Sequence, residues 1–156
     1  MDFVALEEIR QLKYRYFRTL DLKLWDEFGD TLAENVVGRY GTLAMGKPLH
    51  FDNRAAIVEF MSSNLGNDVT TVHVASHPEI TVDGDTATGS WCFEDTVLAT
   101  AARVMIRGAG YYKDRYVRDA DGKWRISDIA YERIFESMQS LDDTPSYNLL
   151  ANRWAQ

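Results

Sequence analysis

Four long segments in the second half of the chain have the composition of β-strands, and they limit the fold more than any other feature. They span residues 69–82, 86–100, 108–118 and 123–136. Tight polar turns join the first segment to the second and the third to the fourth. They are Asp83-Gly84-Asp85 and residues 119–122, and they predict that the joined segments are antiparallel neighbours. Pro78 interrupts the first segment, and a proline inside a strand indicates a bulge or a bend. We therefore expect a long antiparallel meander that bends.

Helices are predicted to precede this meander. They span residues 3–20, 24–32 and 54–63. Asp2 can cap the first, in which apolar residues recur at helical spacing, and Asn53 can cap the third. Residues 36–40 and 44–51 are predicted to form a hairpin between the second and third helices.

Helices followed by an antiparallel meander are typical of an α+β fold. Long strands that bend can curl around a helix, so we expect a cone-shaped α+β barrel. In it, three N-terminal helices pack on a curved, mostly antiparallel sheet that encloses a pocket. The predicted domain covers residues 1–138, and residues 139–156 form a C-terminal tail that packs on a neighbour or stays mobile.

The acidic composition argues against several function classes. The net charge is −7, which disfavours binding to nucleic acid or to an anionic membrane. The longest basic cluster, residues 13–18, is interpreted as the solvated side of the first helix. Cys92 is the single cysteine, so an internal disulfide is excluded. No transmembrane run and no signal peptide are recognisable, and a cytoplasmic location is expected.

Ionisable side chains stand at positions where the pattern predicts the inside of the cone. They are Tyr16, Asp21, His73, His77, Asp95 and Arg133. Burial of such groups is costly unless they are paired or used, which favours an active site for a small molecule. Asp95 ends an apolar row of its strand and either lines a pocket or lies at a solvated strand end.

The two histidines have the same strand parity, provided that Pro78 does not shift the register first. A metal site is conceivable for such a pair, but no third ligand follows at a recognisable spacing, so no metal is expected. His77 is the preferred base, because a neutral imidazole near pH 7 can accept a proton. His73 is interpreted as a structural or substrate-binding histidine.

The remaining candidates have structural alternatives. Tyr16 and Asp21 are five residues apart and converge only if the first helix ends near Leu20. A carboxylate at the carboxyl end of a helix is unfavourable for the helix dipole, which suggests another role for Asp21. Arg133 can hold a carboxylate, either the protein's own or a ligand's.

Three stretches carry a family resemblance. They are residues 9–28 (IRQLKYRYFRTLDLKLWDEF), 77–95 (HPEITVDGDTATGSWCFED) and 110–135 (GYYKDRYVRDADGKWRISDIAYERIF). The chain resembles the SnoaL-like branch of the nuclear transport factor 2-like superfamily, whose members have the cone-shaped fold. Within that branch it is similar to bile acid 7α-dehydratases.

The resemblance implies a set of catalytic residues. The functional side chains of the dehydratases fall on Tyr16, Asp21, His77, Asp95 and Arg133 of this chain. The implied function is elimination of water from a hydroxylated cyclic ketone, with a steroid-like ketone as one candidate, without a cofactor or a metal. An isomerase, a polyketide cyclase or a non-catalytic ligand-binding or association module are the alternatives.

The predicted wall of the pocket is rich in aromatic side chains. The substrate-binding candidates are Tyr40, His73, Trp91, Phe93, Tyr112 and Tyr116. A small hydrophobic ligand is the expected partner. A homo-oligomer, dimer or trimer, is also expected, because the open sheet face of such cones often forms an interface.

Overall fold

A computed structural model of the chain describes residues 1–155. The α-helices are α1 (Phe3–Asp21), α2 (Trp25–Asp30) and α3 (Arg54–Asn64). The strands are β1 (Leu32–Tyr40), β2 (Leu49–Phe51), β3 (Val69–Asp83), β4 (Thr86–Ala99), β5 (Val104–Arg118) and β6 (Trp124–Ser140). A 3₁₀ turn (Leu43–Met45) joins β1 to β2.

The predicted caps begin two of the helices. The Asp2 carboxylate accepts a hydrogen bond from the Ala5 amide at 3.0 Å, and Asn53 accepts one from the Ala56 amide at 2.8 Å. Each cap satisfies an amide that has no partner within its helix. Helix α1 ends at Asp21, so the condition for bringing Asp21 near the site is met.

All six strands form one sheet in the order β2-β1-β6-β5-β4-β3. Every neighbouring pair is antiparallel except β1 with β6, which confirms the mostly antiparallel prediction. Shifts of register between neighbouring strands bend the sheet. The curved sheet stays open at its two edges, and the helices pack on its concave side.

The fully buried core lies between α1, α2, α3 and the sheet. Its largest apolar members are Ile9, Leu12, Phe28, Leu32, Ile57, Trp91, Phe93, Ile126 and Ile129. These residues come from both halves of the chain, so the helices and the meander form a single α+β unit, as predicted. None of the helices within residues 1–155 is long and apolar enough to cross a membrane.

The bulge expected near Pro78 is present, and it changes the face on which His77 lies. Strand β3 pairs regularly with β4 up to Ser76 and resumes at Glu79, one register step out. His77 occupies the left-handed region, with φ of 49°. The prediction that His73 and His77 share a face is therefore wrong, because the extra residue turns His77 toward solvent.

The end of the chain is more ordered than predicted. Strand β6 continues to Ser140, four residues past its expected end at Glu136. Beyond it, the Leu141 amide donates to the Arg103 carbonyl at 2.9 Å, and Thr70 donates to the Asn152 side chain at 3.0 Å. The tail thus packs on the protein's own sheet.

Candidate active site

A cavity of about 160 Å³ lies between α1, α3, the 3₁₀ turn and the inner face of β3–β6. Most of its wall is apolar. The apolar side chains include Leu20, Met45, Leu49, Phe60, Met61, Leu65, Val97 and Ile106. The ionisable side chains of the wall are Tyr16, Tyr40, His73, Asp95, Tyr112, Tyr131 and Arg133. The structure therefore brings titratable groups together in a mostly apolar cavity.

His73 and Asp21 form a hydrogen-bonded pair at one side of the cavity. His73 Nδ1 lies 2.7 Å from Asp21 Oδ1, and the other carboxylate oxygen accepts from the His73 amide at 2.9 Å. Thr71 donates to the same carboxylate at 2.8 Å. The Phe17 ring stacks on the imidazole, with centroids 5.2 Å apart and planes 4° apart. The imidazole is thus fixed in position and in orientation.

This pairing determines the tautomer of His73. An ionised carboxylate can only accept hydrogen bonds, so Nδ1 carries the proton and donates it to Asp21. Nε2 is then the nitrogen with a free lone pair, and it lies 3.9 Å from Oδ2 of Asp95, which also lines the cavity. A neutral imidazole held in this way can take a proton from a bound molecule.

Arg133 is paired with the protein's own carboxylates. Its Nη1 and Nη2 donate to the two oxygens of Asp95 at 2.9 and 2.7 Å, and its Nε lies 2.8 Å from Glu136 Oε2. Burial by itself lowers the pKa of Arg133, but hydrogen bonds and charge attraction to Asp95 raise it above its ordinary value. Of the two partners that the sequence left open for Arg133, the structure shows an internal one.

The backbone of β5 leaves space for this guanidinium. A Cβ atom added to Gly108 would overlap Arg133 Nη1. Glu136 in turn accepts a hydrogen bond from the Ala44 amide in the 3₁₀ turn at 2.7 Å. Arg133 and Glu136 therefore also connect the 3₁₀ turn to β6 at one edge of the cavity wall.

Tyrosine hydroxyls supply the remaining polar groups of the cavity. The hydroxyls of Tyr16 and Tyr40 lie 3.1 Å apart, and Tyr131 is hydrogen-bonded to Thr42. Tyr112 lines the cavity, and its hydroxyl has no partner among residues 1–155. Burial raises the pKa of Tyr16, Tyr40 and Tyr112, so these phenols keep their protons at neutral pH and act as donors.

Five of the predicted site residues lie outside the cavity wall. One of them is Asp21, which reaches the wall only through its hydrogen bond to His73. His77 is exposed on the bulge of β3, with Nδ1 2.9 Å from Ser76 Oγ, and the structure does not bring it to the other candidates. Trp91 and Tyr116 are core residues joined by a hydrogen bond of 2.8 Å. Phe93 packs behind Tyr112, with ring centroids 4.7 Å apart, and supports the wall from outside.

The structure adds residues that the sequence pattern did not single out. Glu136 and Arg133 have opposite parity in a regular strand, but β6 bulges opposite Ala109 and Gly110, which turns both inward. Tyr131 has the same strand parity as Arg133, so the alternation of the sequence could have placed it on the same face. Among residues 1–155, no group of three or more His, Cys, Asp or Glu side chains could hold a metal ion.

The fold is shared with proteins of known structure. A proposed scytalone dehydratase from Novosphingobium aromaticivorans superposes with a TM-score of 0.75 and 18% identity, over 97% of this chain and 93% of that one. A hexachlorocyclohexane dehydrochlorinase from Novosphingobium barchaimii gives 0.74 and 12%, over 87% and 90%. At these identities the likeness shows the fold alone.

Sequence comparison gives the family. An uncharacterized protein of Mycobacterium tuberculosis is 29% identical over 133 residues, which cover 84% of this chain and 86% of that protein. The model of the SnoaL-like domain matches residues 4–130, most of the chain and all of the site elements except the end of β6. The chain therefore belongs to the SnoaL-like domain family.

Proposed function

We propose that the protein is a cofactor-independent lyase that eliminates water from a small hydroxylated cyclic ketone. One observation carries this proposal: His73 lines an apolar cavity, and Asp21 holds its Nδ1 at 2.7 Å, which leaves Nε2 as the nitrogen that can accept a proton. A base in such a cavity can act on a carbon-bound proton without competition from bulk water.

The elimination balances with the groups present. His73 Nε2 takes a proton from the carbon beside the carbonyl, and the electron pair of that C–H bond moves toward the carbonyl as an enolate forms. The enolate then forms the carbon–carbon double bond as the C–O bond to the leaving hydroxyl breaks. The leaving oxygen takes this proton back from the His73 imidazolium and departs as water. One proton is removed and one is returned, so no oxidant or reductant is needed.

The other cavity groups have supporting roles in this proposal. Asp21 stabilises the imidazolium that forms and keeps the correct tautomer. The buried phenols donate hydrogen bonds to oxygens that gain charge, which is usually a large contribution to such reactions. Arg133 and Asp95 compensate each other's charge and form a rigid polar edge, so we assign them to positioning the substrate's polar end and not to binding a carboxylate.

The size of the cavity favours a small substrate. Ligand sites commonly measure about 300–1,000 Å³, whereas this cavity is about 160 Å³. We therefore propose one or two rings rather than the four rings of a steroid. The names of two structural neighbours, a dehydratase and a dehydrochlorinase, both denote eliminations and support this reaction class.

A panel of β-hydroxy ketones tests the proposal. The panel comprises monocyclic, bicyclic and steroid members, and enone formation is followed by ultraviolet absorbance. We expect turnover of the one- or two-ring members. Movement of a double bond without loss of water would instead indicate an isomerase, and uptake of ligands without any turnover would indicate a binding module.

Changing Asp21 to asparagine is expected to lower the elimination rate by roughly 10²–10⁴-fold, as loss of the orienting aspartate does in comparable dyads. The asparagine amide can donate to Nδ1, which moves the imidazole proton to Nε2 and blocks the base. The rate is measured under saturating substrate, with circular dichroism as a check on folding. A variant that is folded and fully active would contradict the role of Asp21.

A further inference from the structure

A buried ion pair lies directly behind the candidate active site. Lys13 Nζ is 2.7 Å from Asp114 Oδ2, and neither side chain is accessible to solvent. Asp114 Oδ2 also accepts from Tyr116 at 2.8 Å, whereas Oδ1 has no hydrogen-bond partner among residues 1–155. The prediction that Lys13 lies on the solvated side of α1 is wrong, because the residue is buried against Asp114 of β5.

The ammonium of Lys13 lies among aromatic rings that belong to the site. It is 3.7 Å from the ring centroid of Tyr112, 5.0 Å from that of Phe17 and 5.2 Å from that of Tyr16. Tyr112 and Tyr16 line the cavity, and Phe17 stacks on the His73 imidazole. One buried cation therefore lies close to two rings of the cavity wall and to the ring that stacks on the candidate base.

Stability alone is a poor explanation for this arrangement. Removing two charges from water is costly, and apolar side chains of similar volume often serve a core equally well or better. A lysine can interact strongly with an aromatic face once it is desolvated. Such a cation also stabilises negative charge that develops on the phenol ring. The geometry therefore points to an effect on the tyrosine that lies closest to it.

We propose that Lys13, held by Asp114, is a positioning residue that makes the Tyr112 hydroxyl a stronger hydrogen-bond donor to the oxygen of a bound ketone. The inference rests on the proposed function for the identity of the bound ketone. The effect of the ammonium on the Tyr112 hydroxyl does not depend on that function. Charge that develops on the ketone oxygen is shared with the Tyr112 phenol, and the ammonium under the ring stabilises that charge.

The other ionisable groups around Tyr112 act in the opposite direction. After burial, Tyr131, Tyr40, Asp114 and Asp95 all raise the pKa of Tyr112. Lys13 is the cation in contact with the ring, 3.7 Å from its centroid, and the same ammonium holds Asp114 at 2.7 Å. Removing the pair as a unit therefore removes a dipole whose positive end faces Tyr112, and the phenol should become less acidic.

The test compares the parent protein with the double variant Lys13→Met/Asp114→Asn. Asparagine keeps an acceptor for Tyr116, and the double change leaves no unpaired charge in the core. Tyr112 is replaced in both backgrounds by a trifluorotyrosine, which is more acidic than tyrosine, and fluorine NMR follows its ionisation against pH. We expect the ionisation constant to be roughly tenfold smaller in the double variant, in keeping with a desolvated cation–π contact.

A matched control is available on β5, the strand that carries Asp114. Lys113 forms an exposed pair with Glu132 at 3.2 Å, so Lys113→Met/Glu132→Gln removes the same kinds of charge outside the core. We expect no change in the Tyr112 titration for this control. Should the first double variant fail to fold, Lys13→Leu/Asp114→Leu replaces it.

The outcomes separate this inference from the proposed function. An unchanged ionisation constant in the folded double variant overturns the role of Lys13, whether or not the protein eliminates water. A shifted constant supports it even if no substrate of the panel turns over. Where a substrate is found, the double variant should lower kcat roughly tenfold with KM unchanged, and a rise in KM alone would contradict the proposal.

Discussion

Replacement of His73 by glutamine is expected to slow elimination by roughly 10²–10⁴-fold, the usual contribution of a general base. Glutamine retains a polar side chain beside Asp21 but has no nitrogen that can take a proton at neutral pH. The initial rate of enone formation measures the loss. His73 lines the cavity and is not a member of the apolar core, so the variant should keep its fold.

His77 supplies the control for this experiment. It is the same residue type four positions further along β3, yet it is exposed and paired with Ser76. His77→Gln should retain the parent rate within about twofold, since surface changes of this kind seldom disturb a structure. Equal losses in the two variants, or full activity of His73→Gln, would contradict the assignment of the base.

Replacement of Lys13 alone by methionine is expected to lower the free energy of unfolding by about 3–5 kcal/mol, the usual cost of leaving a buried charge without its partner. Burial already raises the pKa of Asp114 against the attraction of Lys13, so loss of the ammonium leaves a carboxyl that must be protonated or solvated. Urea denaturation followed by circular dichroism measures the change.

Removing the partner as well should restore most of the lost stability. Lys13→Met/Asp114→Leu has no charge left in the core, and buried pairs exchanged for apolar residues often cost little. The exposed Lys113→Met change should alter stability by less than about 0.5 kcal/mol. A single Lys13→Met variant as stable as the parent would show that the pair is not held in a dry environment.

The elements of the fold were predictable because their signals are local. Asp2 and Asn53 are capping residues followed by apolar positions at helical spacing, and both begin helices. The turn at residues 83–85 lies between two alternating segments that pair along their whole length apart from the bulge. The local sequence is sufficient to determine these features, and the tertiary structure leaves them unchanged.

The residues that form the site were only partly predictable, because the alternation of side chains between the two faces of a strand is interrupted at a bulge. The sequence indicated a bend at Pro78 but not the residue at which the register changes, so it placed His77, the preferred base, on the same face as His73. The same effect hid Glu136, which faces inward only because β6 bulges two residues earlier. An inserted residue exchanges the two faces for every residue after it.

Lys13 was misassigned for a different reason. It stands in a basic cluster whose other members follow the outer side of α1, and a lysine is rarely buried without a partner. Its partner, Asp114, lies 101 residues away in the chain, so no local pattern could reveal the pair. Long-range ion pairs of this kind require the coordinates.

The role of His73 as a base facing a bound ketone can be tested directly. Exchange of hydrogen for deuterium beside the carbonyl of a simple cyclic ketone tests it without a leaving group, by NMR in heavy water with parent protein and with His73→Gln. We predict exchange catalysed by the parent and reduced to the background rate in the variant. Equal exchange in both proteins, or no catalysed exchange by the parent, would contradict it.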